Sequence, residues 1–105
     1  MLELDKENCT AEVLEETAMP VAVDFWAPTC PDCMALLPAY EQFAKQYGSK
    51  IKFTKLDCSK KRSTAMKFRV MSMPAFLFYK NGKEIKRLGR GIKAEEIEAA
   101  IKELL

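Results

Sequence analysis

Cys30-Pro31-Asp32-Cys33 stands between two differently patterned stretches, and that position limits the possible folds more than any other feature of the chain. Upstream, Val21-Ala22-Val23-Asp24-Phe25-Trp26 is apolar and β-prone apart from one aspartate. Downstream, Met34-Ala35-Leu36-Leu37 opens a helical pattern. The two cysteines therefore lie where a strand turns into a helix, a setting that reads as a dithiol/disulfide redox centre. Pro31 suits the first helical position, where its missing N–H is no loss and its φ is already helical. That predicts Cys30 at the N-cap and Cys33 in the first turn. Unbonded backbone N–H groups and the positive end of the helix would then face the Cys30 sulfur. Both favour a thiolate, which is the form that attacks disulfides. Cys33 is near enough to attack a mixed disulfide formed at Cys30, so the pair can cycle.

The remaining elements follow from periodicity and punctuation. Leu2 and Leu4, alternating with Glu3, suggest a short edge strand. Asn8 or Thr10 is placed to cap a first helix carrying Val13 and Leu14, which Ala18-Met19-Pro20 ends. The run from Val21 to Trp26, apolar on both faces, reads as a central strand of a mostly parallel sheet. A helix is expected from about Cys33 to Tyr47, with Leu37, Tyr40, Ala44 and Tyr47 along one side. Pro38 should kink it and Gly48 end it. Ile51 to Cys58 reads as a second strand, completing a βαβ unit, and Ser59 can cap a helix through about Phe68. Ala75 to Tyr79 and Glu84 to Leu88 read as strands joined by an Asn81-Gly82 turn. Glu95 to Leu105 reads as a terminal helix on Ile97, Ala100, Ile101, Leu104 and Leu105. The order is βαβαβαββα, an α/β class with a central mixed sheet between helices.

At 105 residues the chain suits one domain, spanning 1–105, with a core of its own. A net charge of +2 is too small to point to nucleic acid or an anionic membrane. No apolar run approaches membrane-spanning length. The absence of histidine removes imidazole bases and the commonest metal ligand. The first residues, Met1-Leu2-Glu3-Leu4-Asp5-Lys6, have neither a basic nor an apolar export region, so a reducing cytoplasm is the expected compartment.

The stretch Asp24-Phe25-Trp26-Ala27-Pro28-Thr29-Cys30-Pro31-Asp32-Cys33 resembles the thioredoxin family, whose pattern is a strand ending Asp-Phe-Trp-Ala and then Trp-Cys-Gly-Pro-Cys opening a helix. The likeness extends over nearly the whole chain in length and element order. It implies a thioredoxin fold and reduction of protein disulfides through Cys30 and Cys33. It also implies disulfide-containing clients, a thioredoxin reductase as partner, no bound cofactor and a monomer. The sequence departs from the pattern at Thr29, at Pro31-Asp32, at Met34, and at Arg90 between Gly89 and Gly91. All four places belong to the expected client face, together with Trp26. Cys-Pro-x-Cys also resembles glutaredoxin, but the N-terminal strand and helix and the Asp-Phe-Trp-Ala stretch are those of thioredoxin. A glutathione-linked enzyme, or a thioredoxin-fold binding or metal-carrying module, is the alternative.

A charge inside a strand buried on both faces is costly unless a partner or a task offsets it. Asp24 matches the family aspartate that passes protons behind the second cysteine. Lys55 aligns with a family lysine that approaches it, although a lysine in an alternating strand also suits a solvent-facing position. Met73-Pro74 resembles the family's cis-proline turn, which lies against the cysteines. A cis bond there would leave the Met73 backbone free to bond an extended client strand. Met71 and Met73 would flank that groove as soft contacts. Cys9 and Cys58 would complete a set of four thiolates with Cys30 and Cys33, enough for a structural zinc. Neither belongs to a second C-x-x-C, so the expectation is core packing and no metal.

Overall fold

The computed structural model describes residues 1–105. In chain order it contains β1 (Leu2–Glu3), a π-helical turn (Thr10–Leu14), β2 (Val21–Trp26), α1 (Pro31–Tyr47), β3 (Lys52–Asp57), α2 (Arg62–Lys67), β4 (Ala75–Lys80), β5 (Lys83–Leu88) and α3 (Ala94–Leu104). The strands form one sheet in the order β1-β3-β2-β4-β5. β1 and β2 run parallel to β3, β4 runs antiparallel to β2, and β5 antiparallel to β4. β2 is thus bonded on both edges and covered on both faces, which is why its sequence is almost continuously apolar.

Alternation along β2 divides the core in two. Val21, Val23 and Phe25 pack with Val13, Leu56 and Phe68 beneath the π turn and α2. Ala22 faces the other way, toward Tyr40 and Phe43 of α1 and Ile97 and Ile101 of α3. Full burial of side chains of this size contributes roughly 1.5–3 kcal/mol each. Tyr40 anchors α1: its ring lies 5.4 Å from that of Phe53 and 5.5 Å from that of Phe76. Its hydroxyl donates to the Thr54 carbonyl at 2.8 Å. The buried stripe of α1 runs through Leu36, Tyr40, Phe43 and Tyr47, a helical spacing, and Leu37 is not part of it. Helical structure continues through the exposed Pro38, whose missing N–H leaves the Met34 carbonyl without its intrahelical donor on the solvent side.

Several local expectations are corrected. The first helix is a single π turn, closed by the Glu15 N–H donating to the Thr10 carbonyl at 2.9 Å. Neither Asn8 nor Thr10 is its N-cap. Instead Asp5 and Asn8 satisfy each other's backbone, with the Asn8 N–H on Asp5 Oδ1 and the Asp5 N–H on Asn8 Oδ1, both 2.9 Å. This is a capping box with the acid first. Ser59 does not cap α2: its N–H and hydroxyl both donate to Asp57 Oδ1, at 2.9 and 2.6 Å, and the helix starts only at Arg62. Gly48 ends α1 in a right-handed conformation (φ −65°), so its left-handed freedom is not used. Leu105 is exposed beyond the end of α3.

Two long-range ties brace the frame. Lys52 of β3 holds the π turn, its Nζ donating to the Glu12 carbonyl at 3.2 Å and carboxylate at 2.9 Å and pairing with Glu16. Arg87 of β5 grips Glu84 with Nε and Nη2, and donates to the Arg69 and Phe68 carbonyls at 2.8 Å. It thereby satisfies the carboxyl end of α2, where Arg69 takes a left-handed φ of 59°. The β4–β5 turn has φ of 54° at Asn81 and 77° at Gly82, the mirror-image geometry that Asn-Gly favours. Gly82 also lies so close to the Leu14 carbonyl that a Cβ there would clash.

Candidate active site

β2 ends at Trp26, and the chain turns once before α1. Cys30 is the N-cap, in extended conformation, and Pro31 begins the helix. The Cys30 N–H donates to the Ala27 carbonyl at 3.1 Å, and its own carbonyl accepts from the Met34 N–H at 3.0 Å. Its sulfur accepts from the Cys33 N–H at 3.2 Å. An orphan donor of the helix terminus thus points at sulfur, as capping geometry requires. Cys30 and Cys33 are joined in a disulfide with Cα atoms 5.2 Å apart. The two sulfurs differ in access, since Cys33 is only 1% exposed and Cys30 is half-buried. Thr29, Pro31 and Asp32 are exposed around them.

Asp24 lies on the α1 side of β2, opposite Lys55 on β3 and Phe76 on β4. It is 1% exposed, and neither carboxylate oxygen has a hydrogen-bond partner. Burial raises its pKa to about 7, against the pull of the Lys55 charge. The phenol of Tyr40 is pushed up as well, first by burial and then by Asp24. Lys55 is therefore on the Asp24 face of the sheet and not turned outward. Its Nζ lies 5.1 Å from the centroid of the Trp26 ring, within cation–π range, and 3.9 Å from the Glu3 carboxylate. Trp26 is half-buried, its Nε1 buried without a partner. Tyr40 and Phe76 wall this carboxylate, and sequence reasoning missed both in that role. Only the strand register and the helix seating bring them there.

The Met73–Pro74 peptide is cis. Pro74 is buried, Met73 half-buried, and the pair opens β4. Because Ala75 pairs with Phe25 in an antiparallel ladder, Met73-Pro74 reaches the same end of the sheet as the β2–α1 turn. Leu88 pairs with Phe76, which carries the exposed Arg90, just beyond β5, toward that end too. Cys9 is buried in the core under the π turn, and Cys58 is half-buried against the same core; both are free thiols. The four cysteines do not gather: no three Cys, Asp or Glu side chains are placed to share a metal ion.

A disulfide at the N-terminus of the helix that follows the central strand of this sheet, with a cis-proline at the same sheet end, defines a thiol-disulfide oxidoreductase of the thioredoxin fold. The thioredoxin family model matches residues 1–103. A thioredoxin of Acetoanaerobium sticklandii is 40% identical over 106 residues, covering 100% of both chains. A thioredoxin of Alicyclobacillus acidocaldarius is 34% identical over 86 residues, covering 82% of each. The crystal structure of Malassezia sympodialis thioredoxin superposes with a TM-score of 0.86 at 25% identity, covering 99% of this chain and 90% of that one. The chain belongs to the thioredoxin family, and its activity is protein-disulfide reduction through a Cys-x-x-Cys disulfide.

Proposed function

We propose that Cys30 is the attacking sulfur and Cys33 the resolving one. The observation that carries this is the asymmetry of the pair: Cys30 is accessible at the helix N-cap and bonded by the Cys33 N–H, while Cys33 is buried. In the dithiol form the Cys30 thiolate attacks one sulfur of a client disulfide, forming a mixed disulfide and releasing the other client sulfur as a thiol. Cys33 then loses its proton and attacks the Cys30 sulfur. The enzyme disulfide forms, and the second client thiol leaves with a proton. Asp24 accepts the Cys33 proton. A carboxyl whose pKa lies near 7 suits that exchange at neutral pH. Lys55 tunes Asp24 and packs on Trp26 as a supporting residue, and Pro38, within α1, is the second supporting position. Met73 and Pro74 hold an extended client, with Trp26, Thr29, Pro31, Asp32 and Arg90 forming the rest of the contact face.

The two sulfurs carry the electrons, so no bound cofactor is required, and a thioredoxin reductase restores the dithiol. The free thiols Cys9 and Cys58 suit a reducing compartment, the cytoplasm, and the chain acts as a monomer. Clients are proteins with accessible disulfides. No helix is long and apolar enough to cross a membrane.

The test is trapping. A Cys33→Ser variant is expected to accumulate stable mixed disulfides through Cys30, visible on non-reducing gels and mapped by mass spectrometry. Equal trapping by Cys30→Ser would reverse the assignment. Recycling by a thioredoxin reductase but not by glutathione is expected, and efficient recycling by glutathione alone would favour the glutaredoxin-like alternative.

A further inference from the structure

Four sulfur side chains line one surface cavity of about 410 Å³: the thiol of Cys58 and the thioethers of Met66, Met71 and Met73. They come from three places in the fold. Cys58 follows β3, Met66 lies on α2, and Met71 and Met73 belong to the segment leading into β4. Met66 and Met71 are 55% and 87% exposed, so neither is needed to fill the core. Cys58 is a free thiol whose sulfur lies 3.8 Å from the Leu56 carbonyl, while its backbone N–H donates to the Trp26 carbonyl at 2.8 Å. The other walls include Ser59, Arg62 and Ser72 but no carboxylate, and the chain has no histidine. A hard divalent cation would find no anionic oxygen there, whereas thiolate and thioether donors select soft metals, Cu(I) above all.

We propose that Cys58, Met66, Met71 and Met73 form a binding site for one Cu(I) ion. Binding exchanges the thiol proton for the metal: the Cys58 S–H bond breaks, an S–Cu bond forms, one proton is released, and nothing is oxidised or reduced. The copper thiolate is neutral, so the neighbouring Arg62 does not oppose it. The site is separate from the Cys30–Cys33 pair but shares Met73 with the client face, so copper and client compete for that side chain.

The experiment uses the full chain with the Cys30–Cys33 disulfide closed, so that neither of those sulfurs can ligate. Cu(I) is supplied anaerobically against a chromogenic Cu(I) chelator, and stoichiometry is read by native mass spectrometry. One Cu(I) per chain is expected, with a Cu(I)–thiolate absorption in the ultraviolet. Cys58→Val is expected to weaken binding by about a hundredfold or more, and the Met66→Leu/Met71→Leu double variant by about tenfold. Cooperative thermal unfolding checks that each variant is folded. Alkylation of Cys58 in the wild-type protein gives the same readout without a substitution. Failure to bind, unchanged binding after loss or alkylation of Cys58, or a double variant as tight as wild type would each overturn the proposal.

Discussion

Val23 and Asp24 are neighbours in the chain and equally hidden from water, at 0% and 1% exposure, but they meet opposite surroundings. Val23 points into a cluster of apolar and aromatic side chains under the π turn and α2, where the paired Thr54 spends its hydroxyl on the Ala22 carbonyl. Asp24 points under α1, where Lys55, Tyr40 and Trp26 bring charge and polar atoms close to a carboxylate with no hydrogen-bond partner. One side of the strand is made for stability and the other tolerates an expense in stability. The pleat alone keeps them apart, because successive residues face opposite sides of a sheet. A stable scaffold and a reactive site are thereby separated by a single step along the backbone.

The comparison is broken most severely by moving the charge across. Val23→Asp puts an unpartnered carboxylate into the dry side, and a loss of about 4 kcal/mol or more is expected, enough to prevent folding. A folded Val23→Asp chain with near-normal urea resistance would mean that this face is wetter than its packing indicates.

Removing the charge from its own side has the opposite sign. The folded Asp24 pKa of about 7 lies above the ordinary carboxylate value of 3.8. Below the unfolded value both states are protonated and the group favours neither. Between about 4 and 7 the folded state keeps the proton that the unfolded state releases, so stability falls as pH rises through this window and then levels off. Asp24→Asn is therefore expected to be more stable than wild type by roughly 2–4 kcal/mol at pH 8, with the gain vanishing near pH 4. Turnover should fall about tenfold or more, because Cys33 loses its proton acceptor. Urea unfolding across pH and an insulin-reduction assay measure the two effects; a variant both less stable and fully active would refute the buried-acid role.

Lys55→Met sharpens the comparison further. Without the lysine charge the Asp24 pKa should move higher still, carrying the pH profile of the reductase step with it, while stability at neutral pH changes by less than about 1 kcal/mol. An unmoved profile would show that Lys55 serves Trp26 and Glu3 and not Asp24. The smallest effect is expected at Asp32, a carboxylate beside the same sulfurs but exposed. Its charge opposes a Cys30 thiolate through solvent, so Asp32→Asn should raise the reduction potential by no more than about 30 mV, a tenfold change in the equilibrium. A fall in potential on equilibration with a reference dithiol would mean that Asp32 acts on the helix and not on sulfur.

What could be read from sequence was what neighbouring residues decide among themselves. The strand before Cys30, proline at the first helical position and the Asn81-Gly82 turn are local signals, and each stands where it was expected. The fold class followed because those signals alternate in βα order. Misreadings arose where a distant or reversed partner intervened. Asn8 looked like a cap, but Asp5 precedes it and takes the first position of the box. Ser59 looked like one too, but Asp57 captures both of its donors. Periodicity alone assigns Leu37 to the buried stripe of α1, but the seating of Tyr40 on Phe53 and Phe76 places Leu36 there instead. The surroundings of Asp24 depend on strand register, and no pattern within β2 encodes which residues of β3 and β4 will lie beside it.

Gly82 carries one more consequence. Hairpin tips are ordinarily where a chain is cut open, tagged or lengthened without harm. Here the tip is seated against the Leu14 carbonyl, with no room even for a methyl group. Its occupant is fixed twice over, by backbone handedness and by contact, and any added segment would lift β5 and the tip from the N-terminal third of the molecule. Open space lies instead around Gly89 and Gly91, beside the client face. In this chain the open space lies next to the chemistry, freely at Gly89 and with a left-handed backbone at Gly91, and the hairpin turn at the opposite end of the sheet is closed.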